Sequence, residues 1–331
     1  MRRSGAVVLG FLTLSVPGGS AAQRPAFGPL THEEGGLLQR FSHTPMVEKA
    51  DVLEPGSLAM DMWLGLSNVF EQDSTATHVL FIDMERLLTA ATLRWGVAED
   101  LELGGRVTFE TTGGGVLDSF VHWYHDLLGF GQANRDRFPE GAYSQRLGDG
   151  GETTYLDVGP RTLGLEDVRV FAKWQLLTST DGRSVLALRT EARFPAQSNR
   201  AGRRRSDASL AGLARLGVGS WYLHGMLSAS TARATPELAP VLRNGSASLA
   251  LAAERSLGAS VAAVVQVQVS TPLLEGFDHR ELDRPASNLV VGLAGRLGED
   301  WSWDASFQED LPADTPAIDF TLGLRVSRRW R

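Results

Sequence analysis

The feature that most constrains this chain is its final segment, residues 317–331, A-I-D-F-T-L-G-L-R-V-S-R-R-W-R. Ile318, Phe320, Leu322, Leu324 and Val326 share one parity; Asp319, Thr321, Gly323, Arg325 and Ser327 share the other. Side chains alternate faces along a strand, so the segment has one apolar and one polar face. As an open edge in water it would invite aggregation. Packing on a sandwich core removes that problem. So does closure into a barrel, where the apolar face meets lipid and the polar face meets a lumen.

Composition narrows the choice. The chain has 331 residues and no cysteine, which excludes a disulfide framework and thiol chemistry and suits export through an oxidising compartment. Mean hydropathy is -0.10 and no long apolar run lies beyond the N-terminus, so a helical membrane protein is excluded. A net charge of -7 argues against a nucleic-acid partner. Residues 1–22 read as a signal peptide: Arg2 and Arg3 are the basic start, 6–16 the apolar core, and Ser20-Ala21-Ala22 the cleavage site. Residues 23–56 carry Pro25, Pro29, Pro45 and Pro55 without a period, and read as an extended periplasmic lead-in.

From residue 57 onward the two-fold pattern repeats. Leu58, Met60, Met62 and Leu64 alternate with Ala59, Asp61, Trp63 and Gly65, and the polar stretch 68–77 reads as a loop. Residues 78–95 form the next strand region, where the apolar parity slips from Leu80, Ile82 and Met84 to Leu87, Ala91 and Leu93. A bulge near Glu85–Arg86, or a division into two strands, would account for the slip. Alternating segments follow near 101–110, 168–176, 186–194, 207–218, 220–231, 246–256, 260–270, 289–297 and 301–308. Short connections near 97–100, 179–183, 219, 257–259 and 298–300 alternate with long ones, the longest being 112–164. That rhythm is expected of a twelve-stranded antiparallel transmembrane β-barrel over 57–331, with a helical insertion in one long loop. Outer-membrane barrels end in such a strand with an aromatic at or near the terminus; Trp330 is penultimate here. Trp95, Trp174, Trp301 and Trp303 have the outward parity of an interfacial girdle, whereas Trp63 has the inward parity.

In the long loop, Val116, Leu117, Phe120, Val121, Tyr124, Leu127 and Leu128 recur at helical spacing, predicting a helix over 116–128 stopped by Gly129 and Gly131. The stretch Leu117-Asp118-Ser119-Phe120-Val121-His122-Trp123-Tyr124-His125-Asp126-Leu127-Leu128-Gly129, followed by Asn134-Arg135, resembles a bacterial outer-membrane family known only as domain of unknown function 3187. Ser67-Asn68, Ile82-Asp83-Met84-Glu85 and Leu93-Arg94-Trp95-Gly96 match it too, and the resemblance spans roughly Ser57 to Arg193. It implies an outer-membrane barrel and supplies no activity.

Asp118, His122 and His125 lie close to one helical stripe, but their spacing lacks a third strong ligand, so neither metal nor cofactor is expected. An acyl hydrolase using His125, Asp118 and a serine is the alternative function, although no serine sits in a nucleophile motif. The preferred expectation is a porin-like or structural barrel in which the 113–135 insertion folds into or over the lumen. Asp118 would then meet inward Arg106, Arg169 or Arg189, and Arg135 would meet Glu102, Glu110 or Glu191. The mixed signs of these inward charges suit a paired, partly closed lumen better than an anion-selective one. Partners expected from this reading are outer-membrane lipid and lipopolysaccharide, the barrel-assembly machinery and a possible small solute. The run Arg203–Arg205 reads as a solvated loop, with lipopolysaccharide phosphate as its alternative contact.

Overall fold

The computed structural model describes residues 26–33, 43–75, 78–128, 135–148, 154–157, 159–196, 206–231, 242–272, 274–275, 284–311 and 320–331. The expected signal peptide, Gly129, Gly131 and Arg203–Arg205 therefore lie outside the described residues. Twelve antiparallel strands form a closed barrel: β1 (Leu58–Ser74), β2 (Val79–Ala98), β3 (Leu101–Gly113), β6 (Arg161–Thr178), β7 (Val185–Pro195), β8 (Asp207–Val218), β9 (Trp221–Thr231), β10 (Gly245–Ser256), β11 (Val261–Ser270), β12 (Ala286–Leu297), β13 (Trp301–Asp310) and β14 (Phe320–Trp330). The last strand closes on the first, with Leu324 opposite Leu64 and Gly323 opposite Gly65. Between β3 and β6 the chain forms helix α1 (Asp118–Leu128), a short 3-10 turn (Arg135–Arg137) and a hairpin of β4 (Ser144–Gly148) and β5 (Thr154–Asp157). The hairpin extends the sheet from the far end of β2, where Leu80 pairs with Leu147.

The parity read from the sequence sets the faces. Leu58, Met60, Met62, Leu64, Leu322, Leu324 and Val326 are exposed on the outside, while Asp61, Trp63, Thr321 and Ser327 are buried inside. Similar apolar side chains on every barrel strand make a continuous exposed belt. A belt of this kind is favourable only against hydrocarbon. Trp95, Trp174 and Trp301 are exposed near the short turns, and Trp63 is buried inward, as its parity requires. The indole of Trp63 occupies the space left by the absent side chain of Gly65, where a Cβ would lie 2.2 Å from the ring.

Several sequence-based expectations are corrected. The polar stretch 68–77 is mostly strand: β1 continues to Ser74 and β2 resumes at Val79. Above the apolar belt no lipid demands apolar outward residues, so polarity there does not signal a loop. The parity slip in β2 is neither a bulge nor a break, since pairing with β1 runs unbroken from Val79 to Trp95. Leu80, Ile82, Met84, Leu88 and Ala90 are all buried on one face, while Leu93 and Trp95 are exposed on the other. The apolar residues themselves change faces where the strand leaves the belt. The helix begins two residues later than 116, and the β4–β5 hairpin in the long loop was not anticipated.

Candidate functional site

Two places concentrate buried charge, and they lie on opposite sides of the barrel wall. The first is the lumen. The stretch 23–56, expected as a lead-in, has its described residues 26–33 and 43–56 seated inside the barrel. Leu30 packs on inward Ala252, Val264, Val290 and Ala294. Val47 and Ala50 pack on inward Val185, Ala187, Ala211, Leu213, Met226 and Ala250. These wall residues share the polar parity of their strands, so an apolar patch faces the lumen and the N-terminal segment covers it.

Polar contacts follow the same path. The N–H groups of Phe27 and Gly28 donate to the two carboxylate oxygens of Glu254 at 2.9 and 3.0 Å. Glu254 also meets His224 Nε2 at 3.0 Å. Thr31 donates to Asp304, and its carbonyl accepts the indole N–H of Trp63 at 3.2 Å. Glu33 bridges Arg106 at 2.6 Å and Arg169. On the return path, His43 Nε2 lies 2.9 Å from Glu191, and Glu48 lies 3.3 Å from Arg189 and 3.6 Å from Lys173. Asp51 meets Arg215 at 2.8 Å, and the Leu53 N–H donates to Glu102 at 3.0 Å. Phe27 and Leu53 lie beside residues near the short turns, whereas Glu33 and His43 reach Arg106, Arg169 and Glu191 deeper in the wall. The segment therefore enters and leaves through the short-turn end. A cavity of about 200 Å³ remains beside it at that end, lined by Lys49, Asp61, Trp63, Arg94, Phe171 and Arg325 among others.

The wall charges are also paired with one another. Lys173 meets Glu102 at 3.2 Å, Arg193 meets Asp167 at 2.6 Å, and Arg189 meets Glu191. Asp61 lies 2.8 Å from Arg94 and 3.0 Å from Arg325, which in turn reaches Asp304 at 2.5 Å. Such pairing answers the cost of burying charge. Within the segment itself, burial pushes His32 down to about 4, with the Glu33 charge acting against it. Burial alone would raise Glu33, but the charges of Arg169 and Arg106 hold it below the usual carboxylate range. Burial also pushes Lys49 down to about 8, opposed by Asp51.

The second place is outside the barrel, and it corrects the expected position of the helix. Phe320 has the outward parity of Leu322, yet it is fully buried because Val121 and Tyr124 of α1 cover it. Outward Phe307 stacks on Phe320 at 6.2 Å between centroids and meets the Tyr124 ring edge-on at 6.0 Å. The Tyr124 hydroxyl donates to outward Glu309 at 2.9 Å and lies 2.8 Å from His125 Nε2. Asp118 accepts from Asn68 at 3.1 Å, from Arg135 at 2.8 Å and from the Gly141 N–H at 2.7 Å. The Leu117 N–H donates to outward Glu85, and the Arg135 guanidinium sits 4.9 Å above the Phe70 ring. The helix is therefore docked on the outer wall, above the belt.

The sequence-predicted site residues thus divide. Asp118, His125 and Arg135 come together on the outer wall, with His122 on a flank, 3.9 Å from Glu140. Glu102, Arg106, Arg169, Arg189 and Glu191 stay in the lumen and meet the N-terminal segment. None of the expected pairings between the two sets forms: Asp118 meets Arg135 rather than Arg106, Arg169 or Arg189, and Glu110 meets Arg86 at 2.6 Å. Asp118 and His125, needed together for the hydrolase alternative, are held by different partners. Of the residues that carry the family resemblance, Asn68, Glu85, Leu117, Asp118, His125 and Arg135 converge on this outer dock.

A family model described as a protein of unknown function, DUF3187, matches residues 11–330. The chain belongs to that family. No curated protein matches by sequence. Among solved structures, the chain is similar to the COG4313 outer membrane channel from Pseudomonas putida F1, with TM-score 0.54, 13% identity, and coverage of 85% of this chain and 98% of that one. A KdgM porin gives TM-score 0.41 at 7% identity, covering 82% and 99%. The translocator domain of the autotransporter NalP from Neisseria meningitidis gives 0.41 at 11%, covering 85% and 90%. At these identities the first match speaks to the barrel fold, and the other two add nothing to it.

Proposed function

We propose that this DUF3187 protein is a porin-like outer-membrane barrel whose lumen is occupied from the periplasmic end by its own N-terminal segment. The observation that carries the reading is the seating of residues 43–56 between an apolar inner patch and paired inner charges. The exposed apolar belt supports insertion in a bilayer, and the strand count and short turns on one end support the outer membrane with that end periplasmic. Residues 26–33 and 43–56, rather than helix α1, narrow the passage.

Passage of a small solute then depends on displacement of the segment. Reconstituted full-length protein should give slow liposome swelling in small sugars. Deletion of residues 26–53 should speed swelling several-fold while the barrel remains folded. Equal swelling rates with and without the segment would sink the plug, and recovery of the protein in the soluble periplasmic fraction would sink the membrane reading.

A further inference from the structure

Helix α1 has two apolar sides, and the barrel uses only one. At roughly 100° per residue, Leu117, Val121 and Tyr124 lie together on the side that packs on Phe320 and Phe307. Asp118 and His125 lie beyond them and are buried in the polar dock. Ser119 and His122 follow on the next flank, where Glu140 contacts both at 3.0 and 3.9 Å. That leaves exposed Val116, which precedes the helix, and Phe120, Trp123 and Leu127, which fall within roughly 60° of arc. They are 87%, 36%, 59% and 67% exposed, respectively.

This exposed stripe adjoins the belt. Phe120 meets Phe320 at 5.7 Å and Trp123 at 5.8 Å between ring centroids, and Phe320 stands two residues above exposed Leu322 on the same face of β14. Phe120 thus packs on buried Phe320 directly above exposed Leu322, which sets the exposed stripe of Phe120 and Trp123 at the upper edge of the belt. The polar flank points the other way, towards the segment 138–141. A helix with an apolar stripe, an aromatic at its centre and a polar flank is suited to lie in the plane of a membrane interface. The buried dock fixes its height on the wall.

We infer that α1 is an interfacial collar, with Val116, Phe120, Trp123 and Leu127 seated in the outer-leaflet lipid at the boundary between head groups and acyl chains. The inference rests on the membrane reading above but not on conduction. It gives the long loop a lipid partner where the sequence pattern pointed to a plug.

The chain contains no cysteine, so single cysteines can be spin-labelled without other changes. Ser119→Cys, Trp123→Cys, Asp126→Cys and Leu127→Cys would be compared in phosphatidylcholine–phosphatidylglycerol vesicles, with Leu322→Cys as a marker of the belt. Labels at 123 and 127 should be several-fold more accessible to oxygen than to a water-soluble nickel chelate, with the opposite preference at 119 and 126. Nickel access at 123 and 127 while 322 stays lipid-facing would overturn the collar alone. So would strong dipolar coupling between labels at 123 of two copies. Nickel access at 322 as well would overturn the membrane reading itself.

Discussion

The inner segment and the outer helix are both held to the same wall by buried charge, but their charges are owned differently. On the outer wall, the Asp118–Arg135 pair lies within the insertion, and the barrel supplies Asn68, Glu85, Glu309 and aromatic surface. In the lumen, the N-terminal segment adds Glu33, Glu48 and Asp51 to wall cations, several of which already have wall partners. A buried charge stripped of its partner costs several kcal/mol, whereas one that keeps a second partner costs much less. Withdrawal of the inner segment leaves Lys173, Arg189 and Arg193 still paired, but it takes Glu33 from Arg106 and Asp51 from Arg215 and uncovers the inner apolar patch. Detachment of the helix would expose Phe320 and Phe307 to water and leave Glu309 without Tyr124. The proposed passage asks the inner segment to move and the outer helix to stay in place.

The largest expected effect tests that ownership at the wall itself. Arg325→Leu leaves Asp61 with Arg94 but strips buried Asp304 of its cation, and should cost about 3–5 kcal/mol of barrel stability, read by denaturant unfolding. Leu322→Arg, which places a guanidinium on the lipid face, should cost roughly 2–4 kcal/mol. From the sequence pattern alone the lumen substitution would be the milder one; the observed network reverses that order. Equal and small losses for both would mean the lumen charges are individually dispensable.

Arg135→Ala should be smaller, about 1–3 kcal/mol, because Asp118 keeps Asn68 and the Gly141 N–H. It should loosen α1, seen as faster protease cleavage within residues 113–141, without changing solute passage. A rise in passage would place the helix back in the conducting path.

The mildest effect concerns pH. His32 is buried and neutral in the seated segment, with its value lowered from 6.5 to about 4. Because the released segment binds the proton more readily, the His32 contribution to seating is lost as pH falls from about 6.5 towards 4 and changes no further below that, while buried His43, also shifted down, acts in the same sense and Glu33 adds to the loss at lower pH. Passage should therefore rise over that window, and His32→Gln should reduce the rise, leaving the part carried by His43. A pH response unchanged in His32→Gln would remove His32 from the contrast.

Strand number, closure and the facing of the belt were legible because lipid enforces strict alternation over Leu58–Leu64 and Leu322–Val326. The rule lapses where lipid ends, which is why Asn68–Ser74 resembled a loop and why Leu80–Met84 resembled a slipped register. The amphipathic helix was legible from its spacing, but spacing does not say which wall face receives it. Phe320 carried that information: its outward parity continues past the belt to the point where α1 covers it. The plug left a fainter trace. Val185, Ala187, Leu213 and Val264 are apolar on the parity that otherwise holds Arg189, Glu191, Arg215 and Gln266, an arrangement a water-filled pore does not need. Residues 26–33 and 43–56 lack any period because an irregular segment folded against a wall takes its order from that wall.

The contrast between the two regions is tested most directly by single-channel recording in planar bilayers. Full-length protein, a deletion of residues 26–53 and a deletion of residues 116–128 would be compared at one salt concentration. Deletion of 26–53 should raise conductance several-fold, while deletion of 116–128 should leave the conductance of full-length protein unchanged. A large rise on deleting 116–128, with none on deleting 26–53, would contradict the placement of plug and helix on opposite sides of the wall.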